Sequence, residues 1–71
     1  MVWFFTRKGQ YLRLEARTLP DGPGCELVIT HPDGSETVER FDDSSELSTR
    51  RKALESELAT DGWAGPHGRL I

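Results

Sequence analysis

Few side chains in this sequence could do covalent or metal chemistry. Cys25 is the only cysteine, and His31 and His67 are the only histidines, among 71 residues. A nucleophilic centre would need the Cys25 thiol, one imidazole and a carboxylate to converge, because the thiolate is the attacking form. Nothing near Cys25 in sequence would lower its pKa, and it opens an apolar run, so it reads as a buried structural thiol. His31 precedes Pro32-Asp33-Gly34 and reads as a turn residue with local hydrogen bonds. His67 lies between Pro66 and Gly68 and carries no assigned role. One cysteine excludes an internal disulfide, and no Cys/His cluster has zinc spacing. The Asp42-Asp43 pair is accounted for by helix capping and the helix dipole. The expectation is therefore a chain with no catalytic residues, no cofactor and no metal.

The stronger signal is for binding. Trp3, Phe4 and Phe5 stand together near the start, with Tyr11, Arg13 and Arg17 following. Three coverings suit an aromatic cluster beside guanidinium groups: the chain's own Trp63 or Leu70-Ile71 tail, or either of two external occupants. One is a second copy of the chain, packing apolar surface against apolar surface. The other is single-stranded nucleic acid, whose bases stack on aromatics while arginines hold phosphate. The short run Arg50-Arg51-Lys52 is different: on a helix its members diverge among Glu46, Glu55 and Glu57, as on a solvated face.

Which aromatics meet solvent depends on the elements that hold them. Val2 to Thr6 reads as a strand. Gln10 to Arg17 alternates, with Leu12, Leu14 and Ala16 on one side and Tyr11, Arg13, Glu15 and Arg17 on the other. Lys8-Gly9 marks a hairpin between them. The stretch 19–24 is a loop rich in Pro and Gly. Cys25 to Thr30 and Glu36 to Phe41 are two further strands. They are joined by a three-residue loop, Pro32-Asp33-Gly34, that opposes Ile29 to Thr37 and Glu26 to Arg40. Cys25, Leu27, Ile29 and Phe41 then share the more apolar face. The residues 42–45 open a helix with a capping-box pattern, Asp43 to Glu46. Leu47, Leu54 and Leu58, with Ala53, form its narrow apolar stripe. Gly62 ends it, and Trp63 is expected to fold back onto the core.

The predicted fold is α+β: a four-stranded antiparallel β-meander followed by one C-terminal α-helix packed on one sheet face, in the order ββββα. Residues 1–63 form one domain, and 64–71 form a Gly/Pro-containing tail that docks, ending in apolar Leu70-Ile71. One helix covers one face, so the other is open. A three-residue first loop (Arg7-Lys8-Gly9) puts Val2 and Phe4 in the core. The open face then carries Trp3, Phe5, Tyr11, Arg13 and Arg17, the candidate binding face. A two-residue loop (Lys8-Gly9) exchanges the two sets, because a one-residue slip flips every side chain.

Over residues 2–61 this element order is similar to that of Pur repeats and of single-strand-binding transcriptional coactivators. That resemblance implies a dimer and a single-stranded nucleic-acid partner. The stretch from Phe41 to Gly62-Trp63 faintly resembles the end of WGR domains, without the Trp-Gly-Arg signature. Charge argues the other way. The chain carries a net −3, spread as +3 over residues 1–20, −7 over 21–46 and +1 over 47–71. A globally acidic chain argues against nucleic acid, while the basic first third keeps that option open. No run reaches the ~20 apolar residues of a membrane span. A lone thiol fits the cytoplasm. The reading from sequence is a small non-enzymatic interaction module, self-associating as a homodimer through the open sheet face, with a single-stranded nucleic-acid binder as the alternative.

Overall fold

A computed structural model describes residues 1–70, with side chains through His67. The expected docking of Ile71 and of the Leu70 side chain lies outside them. The elements run β1 (Val2–Arg7), β2 (Gln10–Thr18), β3 (Cys25–Thr30), β4 (Glu36–Phe41), α1 (Ser44–Thr60) and β5 (Ala64–Leu70). The class is α+β, as expected, but the sheet has five strands in the order β4-β3-β2-β1-β5. After the helix the chain returns to pair antiparallel with β1. Of the tail expected at 64–71, Ala64–Leu70 is thus an edge strand, and the order is ββββαβ rather than ββββα. Gly65 and Pro66 hid it, because glycine and proline weaken a strand reading. An edge strand tolerates proline, whose missing N–H can face away from the ladder.

The first turn decides the faces. Lys8 (φ 49°) and Gly9 (φ 80°) both take left-handed backbone, the geometry of a two-residue type I′ hairpin. Arg7 pairs with Gln10, Phe5 with Leu12 and Trp3 with Leu14. This corrects the placement expected for two aromatics: Trp3 and Phe5 lie beneath the helix, at 8% and 2% exposure. Val2 and Phe4 take the open face. The second hairpin has the expected register, with Ile29 opposite Thr37 and Glu26 opposite Arg40. Gly34 (φ 91°) supplies the left-handed position of its three-residue loop.

Trp3, Phe5, Leu12, Leu14, Cys25, Leu27, Ile29, Leu47 and Trp63 form one buried cluster. The helix contributes sparingly to it. Leu47 is buried and Leu54 and Leu58 are half-buried, while Ala53, expected in the stripe, is exposed. Polar clamps make up the difference. Arg50 forks onto Glu39 of β4 through Nε (2.9 Å) and Nη2 (3.2 Å). That carboxylate raises the guanidinium pKa further above its ordinary value. Arg51 lies 4.7 Å from the centroid of Trp3, and Arg7 lies 4.5 Å from that of Trp63. Each such contact adds about 0.5–1 kcal/mol.

Both helix ends are capped by residues the sequence marks. Asp43 accepts the Glu46 N–H at 3.0 Å and the Ser45 hydroxyl. At the other end Gly62 (φ 89°) lets the Trp63 N–H reach the Leu58 carbonyl (2.9 Å) and its own N–H reach Ala59 (3.1 Å). This is a Schellman motif, which seats Trp63 beside Leu58 in the cluster. Arg7 also donates to the Asp61 carbonyl and carboxylate, a cation where the helix dipole favours one.

The caps give the fold an acid dependence. The Ser45 hydroxyl and the Glu46 N–H hold the Asp43 carboxyl below its ordinary 3.8. Hydrogen bonds from Ser35 do the same for Asp33, and Arg17 lowers Glu15 below 4.5. A depressed native pKa contributes stability that is present above the unfolded value and lost as pH falls through the native one. The melting temperature is therefore expected to be flat from neutral pH to about 5 and to fall below about 4.5. Asp43→Asn keeps a capping oxygen without a titrating proton, and should make that fall shallower in a pH series of thermal melts.

Candidate functional site

The open face is built from alternate residues of all five strands. The ladders stack Val2, Glu15, Val28 and Val38 in one row across the sheet. The next row holds His67, Phe4, Arg13, Thr30 and Glu36. Arg17, Glu26 and Arg40 make a third. Thr6 and Tyr11 stand at the hairpin end. Among the described residues no element lies over this surface.

Its charges are tied to one another. Arg13 and Arg17 both donate to Oε1 of Glu15 at 3.0 Å, clasping it from two positions along β2. The Arg17 hydrogen bond lowers the Glu15 pKa and, in return, raises that of Arg17. Arg40 donates from Nε to Glu26 at 3.3 Å. The arginines Arg13, Arg17 and Arg40 are balanced by Glu15, Glu26 and Glu36, so the face has no net excess of positive charge from these groups. Val28 and Val2 are 2% and 8% exposed although no helix covers them. Long charged side chains beside them can lay their stems over apolar surface. The apolar groups that do reach solvent here are Tyr11 (67%) and Val38 (51%), with Phe4 half-exposed.

Of the five residues assigned to the binding face from sequence, Tyr11, Arg13 and Arg17 lie on it and Trp3 and Phe5 do not. Sequence reasoning gave the place of the two aromatics to Phe4 and Val2 only in its alternative register. It assigned no role to His67, whose Nε2 lies 3.1 Å from the Thr6 hydroxyl on the same face. The signal for that was lost with β5 itself.

The nucleophilic set is not assembled. Cys25 is buried, with Sγ 3.4 Å from the Asp43 carbonyl. His31 bonds the Thr37 hydroxyl at 2.9 Å, at the far end of β3, about 20 Å away along the strand. His67 sits on the opposite face. Among the described residues no group of His, Cys, Asp and Glu could hold a metal ion. A cleft of about 350 Å³ opens beside Cys25, Trp3 and Arg51. Arg51 in its wall is engaged by Glu55 (2.6 Å) and by the Trp3 ring. No helix among the described residues is long and apolar enough to cross a membrane. Compared with known proteins, the chain matches no family model, and no curated protein and no solved structure matches it significantly.

Proposed function

We propose that this chain is a non-enzymatic interaction module that works as a homodimer, with the open sheet face as its recognition surface. The observation that carries the reading is the face itself. It is a five-stranded surface with no element over it, bearing Phe4, Tyr11 and Val38 among ion pairs. Exposed apolar groups interspersed with charge-balanced ion pairs supply both contact area and orienting polar groups, which a protein-recognition patch combines. Direct stacking of two such faces would desolvate the Arg13–Glu15–Arg17 clasp and the Arg40–Glu26 pair, which costs more than the few exposed apolar groups return. The face therefore stays available for a partner in the dimer. The single buried thiol suits a reducing compartment, so the cytoplasm belongs to the same proposal.

Single-stranded nucleic acid is the second reading, and Phe4 and Tyr11 beside Arg13 favour it. Against it, the arginines of the face are already neutralised by glutamates, and the stacking tryptophan expected from sequence lies in the core. Titration with a labelled single-stranded oligonucleotide at low and moderate salt separates the two. The interaction-module reading expects no binding at low salt. Binding that weakens steeply with added salt would establish the nucleic-acid reading instead. Sedimentation of the free protein over a concentration series tests the dimer.

A further inference from the structure

The two edges of the sheet are not alike. β5 pairs with β1 through two register shifts and contains Gly65 and Pro66, which make it a poor template for another strand. β4 is regular throughout, pairing in unbroken register with β3 from Glu36 to Phe41. Its outer side has no strand beside it among the described residues.

The hydrogen-bond phase of that edge can be worked out. The His31 N–H donates to the Ser35 carbonyl at 2.8 Å, so 31 and 35 are a hydrogen-bonded pair. Such pairs alternate along an antiparallel ladder. Thr37, Glu39 and Phe41 therefore turn their backbone groups toward β3. Glu36, Val38 and Arg40 turn theirs outward, and these same residues place their side chains on the open face.

We infer that two copies of the chain join through β4, antiparallel, with Val38 of one copy opposite Val38 of the other, making one continuous ten-stranded sheet; this rests on the self-association proposed above. Only pairings that match outward groups with outward groups can close hydrogen bonds. Centring on Glu36 or on Arg40 opposes like charges. Centring on Glu39 opposes two carboxylates on the helix side. Centring on Thr37 leaves Arg40 beyond the pairing. Centring on Val38 engages the whole of 36–40, and each outward pair exchanges both of its backbone bonds. It also sets Glu36 against Arg40 of the second copy, twice by symmetry. Glu36 makes no ion pair among the described residues. Arg40 is bound to Glu26 only through Nε and its side chain is 76% exposed, so its terminal amino groups are available. On the helix side Thr37 meets Glu39, whose charge Arg50 already neutralises. The exposed Val38 is covered by its twin. The two open faces then run together as one recognition surface, with no charged pair buried.

The test is a charge exchange read by analytical ultracentrifugation, with far-UV circular dichroism to confirm folding. The wild type is expected to dimerise. Glu36→Arg alone and Arg40→Glu alone should each weaken the dimer by about tenfold or more, because both symmetric pairs become like-charged. An equimolar mixture of the two variants should dimerise again, since each supplies the charge the other lacks. Val38→Pro removes an outward N–H that β3 does not use, and should give a folded monomer. If Arg40→Glu disturbs its own sheet through Glu26, Glu36→Arg and Val38→Pro still decide. A wild-type dimer that survives both of these changes overturns the β4 pairing and leaves self-association standing. A wild type that stays monomeric at high micromolar concentration overturns both.

Discussion

Phe5→Ala is expected to leave the chain unfolded at room temperature, while Phe4→Ala, one residue away, leaves it folded. The two phenylalanines look equivalent in the sequence, and the type I′ turn at Lys8-Gly9 separates them. Phe5 is 2% exposed and stands opposite Leu12 under the helix. Truncating such a ring costs about 3–5 kcal/mol, from lost transfer energy and the cavity left behind. A domain of this size has only about 3–5 kcal/mol in total. Phe4 is half-exposed on the open face, and its ring can be partly replaced by water. Its loss should cost about 1 kcal/mol and should weaken partner binding at the face. Urea denaturation followed by circular dichroism reads both. The reverse ranking would mean that β1 is held in the three-residue register and that Trp3 and Phe5 face outward.

Gly65→Ala is expected to strip β5 from the sheet. Gly65 has φ 145°, a backbone conformation that side chains disfavour. A Cβ there would sit 2.8 Å from Cδ2 of Phe5 and 2.9 Å from the Phe4 carbonyl oxygen. The carbonyl belongs to the β1 backbone and cannot swing aside. Strain and overpacking together should cost about 2 kcal/mol or more. Because β5 is an edge strand, the first loss should be local. Hydrogen exchange is the sharper readout. The amides of Val2, Phe4 and Thr6, which alternate away from β2 toward β5, should lose protection, while those of β3 keep theirs. Equal loss across the sheet would show that β5 is integral to the cooperative unit.

Much of the fold was legible because local chemistry sets it. Pro32-Asp33-Gly34 allows one short hairpin, and its register follows. The Asp43 cap and the Gly62 stop delimit the helix, and the geometry at both ends agrees with the sequence. The acidic middle and basic beginning of the chain end up as neighbouring strands, where Arg17 meets Glu26 and Glu26 meets Arg40.

The candidate site was legible only in half. Tyr11, Arg13 and Arg17 alternate with leucines, so their face follows from period two alone. Trp3, Phe4 and Phe5 offer no alternation to read: all are large and aromatic, and either set could fill a core. A left-handed φ at Lys8, paid for by the packing of Trp3 and Phe5 beneath α1, settled which set does. β5 was invisible for a related reason. Its residues have poor strand propensity, and it exists because β1 presents an edge beside which Gly65 can approach closely. The sequence by itself determined the turns, the caps and the alternation, all of which act within a few residues. The tertiary structure decided the facing of the aromatics, the fifth strand and the free edge of β4. Those depend on contacts between segments far apart in the chain, where burial outweighs local preference.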